Sequence, residues 1–203
     1  MGQARKEYWE LTVIDSVVEN AKGLTSSVAG DIDGDGRVEV VVGGVGVLFW
    51  YRPKTLEEGT IDTDVTIYVG MALQDLDVDG HPGLVVGYTT EGSVLVWYKP
   101  ERGDWQLHCI GESAGDWPHG TLIAPVLPGG GLAPIATYHS ANSGQADYPE
   151  IFEIPADPAA GPWKKRTIAP LIYNEMRKTP SRESGGVQMF ESLKEALQNS
   201  EIL

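Results

Sequence analysis

The chain has 203 residues, 41% hydrophobic and 22% charged, so it can bury a real core and is not disordered throughout. No apolar run approaches the length of a bilayer span, which excludes a membrane-inserted helical protein. With 15 basic against 29 acidic residues the net charge is −14, and long-range electrostatics repel nucleic acid and anionic lipid headgroups.

The N-terminus, MGQARKEYWE, is polar and lacks a secretory leader, and no Asn-X-Ser/Thr sequon occurs, so the chain as encoded is expected in the cytoplasm. The first element is Trp9 to Ile14, a Trp, four residues, Ile pattern that recurs at Trp105 to Ile110 and Trp163 to Ile168, with Leu56 to Ile61 as a degenerate copy. Three further segments align without gaps: SVAGDIDGDGRVEVVVGG, ALQDLDVDGHPGLVVGY and IAPVLPGGGLAPIATYH. Their equivalent positions Asp31, Asp75 and Val126 are 44 and 51 residues apart. An apolar, aromatic element closed by proline follows each: VLFWYRP, VLVWYKP and EIFEIP, ending at Pro53, Pro100 and Pro155.

Each repeat therefore reads as four strands. Strand A precedes the acidic loop, strand B follows it (Val38 to Val42, Leu84 to Val86), strand C is the WYRP type and strand D the Trp type. Four consecutive antiparallel strands make one propeller blade, and the pattern predicts an all-β chain with about three blades over residues 9–169. Closed propellers use roughly 4–8 blades. Three blades leave exposed flanks, so self-association or a partner that completes the ring is expected. Residues 170–203 read as a linker and a short helix with Phe190, Leu193 and Leu197 on one face, which could cover such a flank. Cys109 rules out an intramolecular disulfide, and its place in the alternation Trp105, Leu107, Cys109 predicts a buried thiol.

In the first loop Asp31, Asp33 and Asp35 alternate through a tight turn. Gly34 and Gly36 permit the curl, and the Arg37 carbonyl and Glu39 carboxylate can complete a shell of oxygens. Ca²⁺, a hard cation taking 6–8 oxygens, suits that set. An EF-hand would need glutamate at the twelfth position, where Val42 and Val86 stand. The second loop keeps Asp75, Asp77 and Asp79, with the His81 carbonyl at the seventh position. It has Val78 for the mid-loop glycine and Gly83 for the final acid, so it should bind more weakly. The third loop has no acid, and Gly129 to Gly131 predict a metal-free turn.

The pattern D-x-D-G-D-G-x-x-E followed by a valine run resembles the FG-GAP or VCBS repeat, the calcium-loop blade of integrin α-subunit propellers and many microbial extracellular proteins. The WYRP and WYKP elements are also similar to repeats of sugar-processing propellers of the aldos-2-ulose dehydratase type. The first resemblance implies an extracellular calcium-binding scaffold or binding module with a glycan or protein ligand. The second implies part or a relic of a carbohydrate lyase or dehydratase, and it assigns no catalytic residue. If the chain binds a ligand, the far ends of strands A and B form a candidate face: Tyr68, Tyr88, His119, Tyr138 and His139 collect there as stacking, metal-ligating or proton-moving groups. The tryptophans recur at matched positions and are expected to pack between blades.

Overall fold

The computed structural model describes residue 13 and residues 22–89, 93–113, 117–139 and 149–167. The expected strand at Trp9 to Ile14 and the expected linker and helix of residues 170–203 lie outside the described residues, as does Ile168.

The described chain is all-β and forms three separate four-stranded antiparallel sheets, each from four consecutive strands. The first holds β1 (Leu24–Gly30), β2 (Glu39–Gly44), β3 (Leu48–Arg52) and β4 (Glu57–Asp62). The second holds β5 (Met71–Gln74), β6 (Gly83–Thr89), β7 (Ser93–Glu101) and β8 (Asp104–Ser113). The third holds β9 (Trp117–Leu127), β10 (Gly131–His139), β11 (Glu150–Glu153) and β12 (Lys164–Thr167), with one 3-10 turn at Pro128–Gly130. These are the A, B, C and D strands of the three repeats. Valine runs and aromatics at alternate positions suit a pleated, half-buried surface, and glycine and proline punctuate the turns. Strand B of the first repeat begins at Glu39 rather than Val38, whose side chain is exposed.

The sheets stand side by side. β1 lies against β5 and β5 against β9, so the A strands are neighbours. Thr25 Oγ1 donates to the Ile67 carbonyl, and Gly70 N–H donates to Ser26 Oγ at 3.2 Å. The middle sheet is buried on both faces, which explains the unbroken burial of Gly83 through Gly87 on β6. Leu84, Val86, Val96 and Tyr98 face Val41, Leu48 and Ile67 of the first repeat and its connection. Val85, Leu95, Trp97 and Ile110 face Ala136, Tyr138, Phe152 and Trp163 of the third. Alternation along single strands therefore builds two cores, with each large buried side chain contributing about 1.5–3 kcal/mol.

One expectation is corrected. Cys109 is exposed on the outer strand β8, because in this sheet its side of the alternation points away from the Trp97 and Ile110 core. Partial burial and the nearby Glu112 charge push its thiol pKa up, so it lacks a nucleophile's thiolate character. On the first sheet Val47, Phe49 and Tyr51 form a further buried cluster. On the third sheet Leu122 is half exposed.

Candidate functional site

Both acidic loops connect the first and second strands of a sheet, and they share one backbone network. In the first, the N–H groups of Asp35 and Gly36 donate to Asp31 Oδ1 and Oδ2 at 3.1 and 2.8 Å, and Arg37 N–H donates to Asp35 Oδ1 at 2.8 Å. In the second, Asp79 and Gly80 donate to Asp75 Oδ1 and Oδ2 at 3.1 and 2.9 Å, and His81 N–H to Asp79 Oδ1 at 2.9 Å. The curl needs positive φ at equivalent places. Gly34 and Gly36 supply 76° and 82°, Gly80 supplies 93°, and Val78 is held at 59° although it is β-branched. The third connection makes its turn with Gly129 and Gly130 at positive φ and carries no acid.

Carboxylate oxygens converge in each acidic loop. One oxygen each from Asp31, Asp33 and Glu39 lie within 4.8 Å of one another, and so do one each from Asp75, Asp77 and Asp79. The Gly36 N–H, supported by Gly34 and Asp35, holds the Asp31 carboxyl below its usual pKa against the opposing effect of burial. Burial pushes Asp79 up, but the His81 N–H and the Lys99 ammonium outweigh it and leave its pKa lowered. The donor set is hard oxygen throughout, which suits a hard cation rather than a thiolate- or imidazole-seeking metal.

Two cations that the loop motif does not contain reach into these clusters from the ends of the C strands. Arg52 Nε donates to Glu39 Oε1 at 2.8 Å, its Nη2 lies 2.7 Å from Asp33 Oδ2 and 3.4 Å from Asp35 Oδ2, and Nη1 lies 2.7 Å from Glu57 Oε2. Glu39 is fully buried, and its second oxygen accepts the Ile32 N–H at 3.1 Å. Lys99 takes the same place in the second sheet, where its ammonium pairs with Asp77 and lies 3.0 Å from Asp79 Oδ2. Hydrogen bonds to these carboxylates, Glu39 foremost for Arg52 and Asp77 for Lys99, push both basic pKa values up. The signal was present in the sequence as WYRP against WYKP, with a base before the proline only in the two repeats that carry acids.

Gly83 shows why the second loop lacks its final acid. A Cβ there would lie 1.8 Å from Nε1 of the buried Trp97 indole, so no side chain fits at the position that Glu39 holds in the first repeat. His81 packs over Gly34, bringing the two loops together, and a cleft of about 310 Å³ beside them is lined by Asp33, Glu39, Trp50, His81 and Trp105.

At the opposite end the residues gather less completely. Tyr68 stacks at 5.8 Å on Trp117, and His119 is exposed beside the β9–β10 bulge. Tyr88 packs against the core, with its phenol pKa raised chiefly by burial, and Tyr138 is buried. His139 pairs through its backbone with Trp117.

The chain matches no protein-family model, no curated protein and no solved structure.

Proposed function

We propose that this protein is a calcium-binding β-sheet module of the FG-GAP/VCBS type, a scaffold whose blades are tied by divalent cations at their A–B loops. The observation that carries this reading is the repeated convergence of three carboxylate oxygens within 4.8 Å, at the same connection of two successive sheets. Three such oxygens concentrate negative charge that draws in cations, as the pairing of Arg52 and Lys99 with them illustrates. With the Arg37 or His81 carbonyl and water they approach the oxygen shell of Ca²⁺. The three four-stranded sheets, with their A strands adjacent, support the blade reading. A glycan or protein ligand on one face belongs to the same proposal.

Equilibrium dialysis tests it. Protein stripped with EDTA and dialysed against calcium should retain more metal per chain than the Asp33→Asn/Asp77→Asn double variant. Equal calcium content in the two would refute the reading.

A further inference from the structure

The seam between the second and third sheets is apolar through the Trp97 and Phe152 core and polar at the end remote from the acidic loops. We propose that this polar end is a closed hydration site, in which about one or two internal water molecules bridge the two sheets. It is independent of the calcium reading.

Strand register sets two short rows of polar side chains against each other. On the second sheet Thr89 pairs with Ser93 and Ser93 with Ser113, across β6, β7 and β8. Ser93 alternates with Leu95 and Trp97, which pack against the third sheet, so it shares their side of β7. Thr89 follows Val85 and Gly87 in the same way, and a Cβ at Gly87 would lie 2.4 Å from the Pro118 side chain and 3.7 Å from Thr121 Oγ1. On the third sheet Thr121, Ala136 and Glu150 form one row across β9, β10 and β11. Ala136 and Phe152, the latter two residues after Glu150, pack against the second sheet, so this row faces Thr89 and Ser93. Lys165 spans the seam: its ammonium lies 2.9 Å from Glu150 Oε1 and donates to the Glu112 carbonyl of β8 at 2.7 Å.

Four side-chain oxygens of these rows are buried without a hydrogen-bond partner: Thr89 Oγ1, Ser93 Oγ, Thr121 Oγ1 and Glu150 Oε2. Ser93 is 1% exposed and Glu150 7%, so bulk solvent does not serve them. A polar atom buried unpaired is costly, and four on two facing rows call for a shared partner. The rows leave room for one. Packed sheets stand ~10 Å apart, a gap that Leu95, Trp97 and Phe152 fill in the core and that Ser93, Thr121 and Ala136 are too short to close. Charge selects the occupant. Lys165 already neutralises Glu150, so a metal ion would add uncompensated charge to a buried place. Water is neutral, donates to hydroxyl and carboxylate oxygens alike, and makes about three hydrogen bonds when buried. The seam between the first and second sheets shows the contrast. There Thr25 Oγ1 donates to the Ile67 carbonyl, Ser26 Oγ accepts from Gly70 N–H and Tyr98 Oη donates to Asp62, so the polar side chains satisfy one another directly.

Thr121→Val keeps the shape of the side chain and removes its hydroxyl. In a dry seam it would discard an unpaired polar atom and raise the melting temperature, whereas in a hydrated seam it takes a partner from the water and should lower it by about 2–4 °C. Deuterium relaxation dispersion of the solvent counts the long-lived waters inside the full chain. The wild type should hold about one or two more than the Thr89→Val/Ser93→Ala/Thr121→Val variant. If that variant does not fold by circular dichroism, the melts of Thr121→Val and Ser93→Ala decide alone. A melting temperature that is unchanged or higher in both single variants overturns the proposal, as does a triple variant that keeps the wild-type water count. A wild-type melting temperature higher in sodium or potassium chloride than in tetramethylammonium chloride at equal ionic strength, with the difference lost in Ser93→Ala, gives the site to a cation and overturns it too.

Discussion

Replacing Gly83 by alanine should destabilise the middle sheet through one contact. A Cβ at this position meets Trp97 Nε1 at 1.8 Å, Cδ1 at 2.8 Å and Cε2 at 2.9 Å, and Trp97 is only 1% exposed, so the indole cannot swing outward. Adding a methyl group to a packed core costs about 1–3 kcal/mol, and for a chain of this length each kcal/mol lowers the melting temperature by about 2–4 °C. A fall of about 5 °C is expected in a thermal melt followed by circular dichroism. Trp97→Phe shortens the side chain and removes an indole N–H that is buried without an acceptor. In that background the same alanine should cost less, giving a double-mutant coupling of about 1 kcal/mol or more. A melting temperature unchanged by Gly83→Ala, or a penalty as large in the Trp97→Phe background as in the wild type, would refute the reasoning.

Val78 is held at positive φ and is exposed, so Val78→Gly should relieve backbone strain and stabilise by about 1 kcal/mol in urea unfolding. Tyr98 Oη donates to Asp62 Oδ2 at 2.8 Å across the first and second sheets, and Tyr98→Phe should cost about 1.5–3 kcal/mol in the same assay. The carboxyls of Asp31, Glu57, Asp79 and Glu153 titrate below their ordinary values of 3.8 and 4.5, so the unfolded chain binds more protons than the folded one in acid. The stability they contribute is present in full above those ordinary values and is lost as pH falls through the lowered ones. Melts in metal-free buffer should therefore be flat near neutrality and drop steeply below about pH 4, and a flat profile through that range would contradict the assigned pairings.

Much of the fold was legible because it repeats. Valine runs marked the B strands of the first two sheets, prolines closed all three C strands, and the Trp to Ile spacing marked the fourth strands of the second and third sheets, with Leu56 to Ile61 as its degenerate copy in the first. The acidic loops were legible for the same reason, down to the matching positions of Gly34 and Val78. The partners of the acids were not, because Arg52 is 19 residues from Asp33 and Lys99 is 22 from Asp77, and only sheet register brings them together. Cys109 was misread because its alternation with Trp105 and Leu107 was taken for a core face, whereas Leu107 is itself 48% exposed. Gly83 was read as a missing ligand. Its physical cause, an indole filling that space, depends on a rotamer that sequence does not specify. The far-end groups also depended on register, which displays His119 and the Tyr68–Trp117 stack on the surface but turns Tyr138 inward.

The central claim, that the native acidic loops hold calcium, is tested most directly by the melting temperature of EDTA-stripped protein with and without calcium. A ligand that binds only the folded state stabilises it by about 2.7 kcal/mol at a hundredfold excess over its Kd. The account predicts a melting temperature that rises with calcium concentration through the millimolar range, and a much smaller rise for the Asp33→Asn/Asp77→Asn double variant. A wild-type melting temperature that stays the same in EDTA and in millimolar calcium would contradict it.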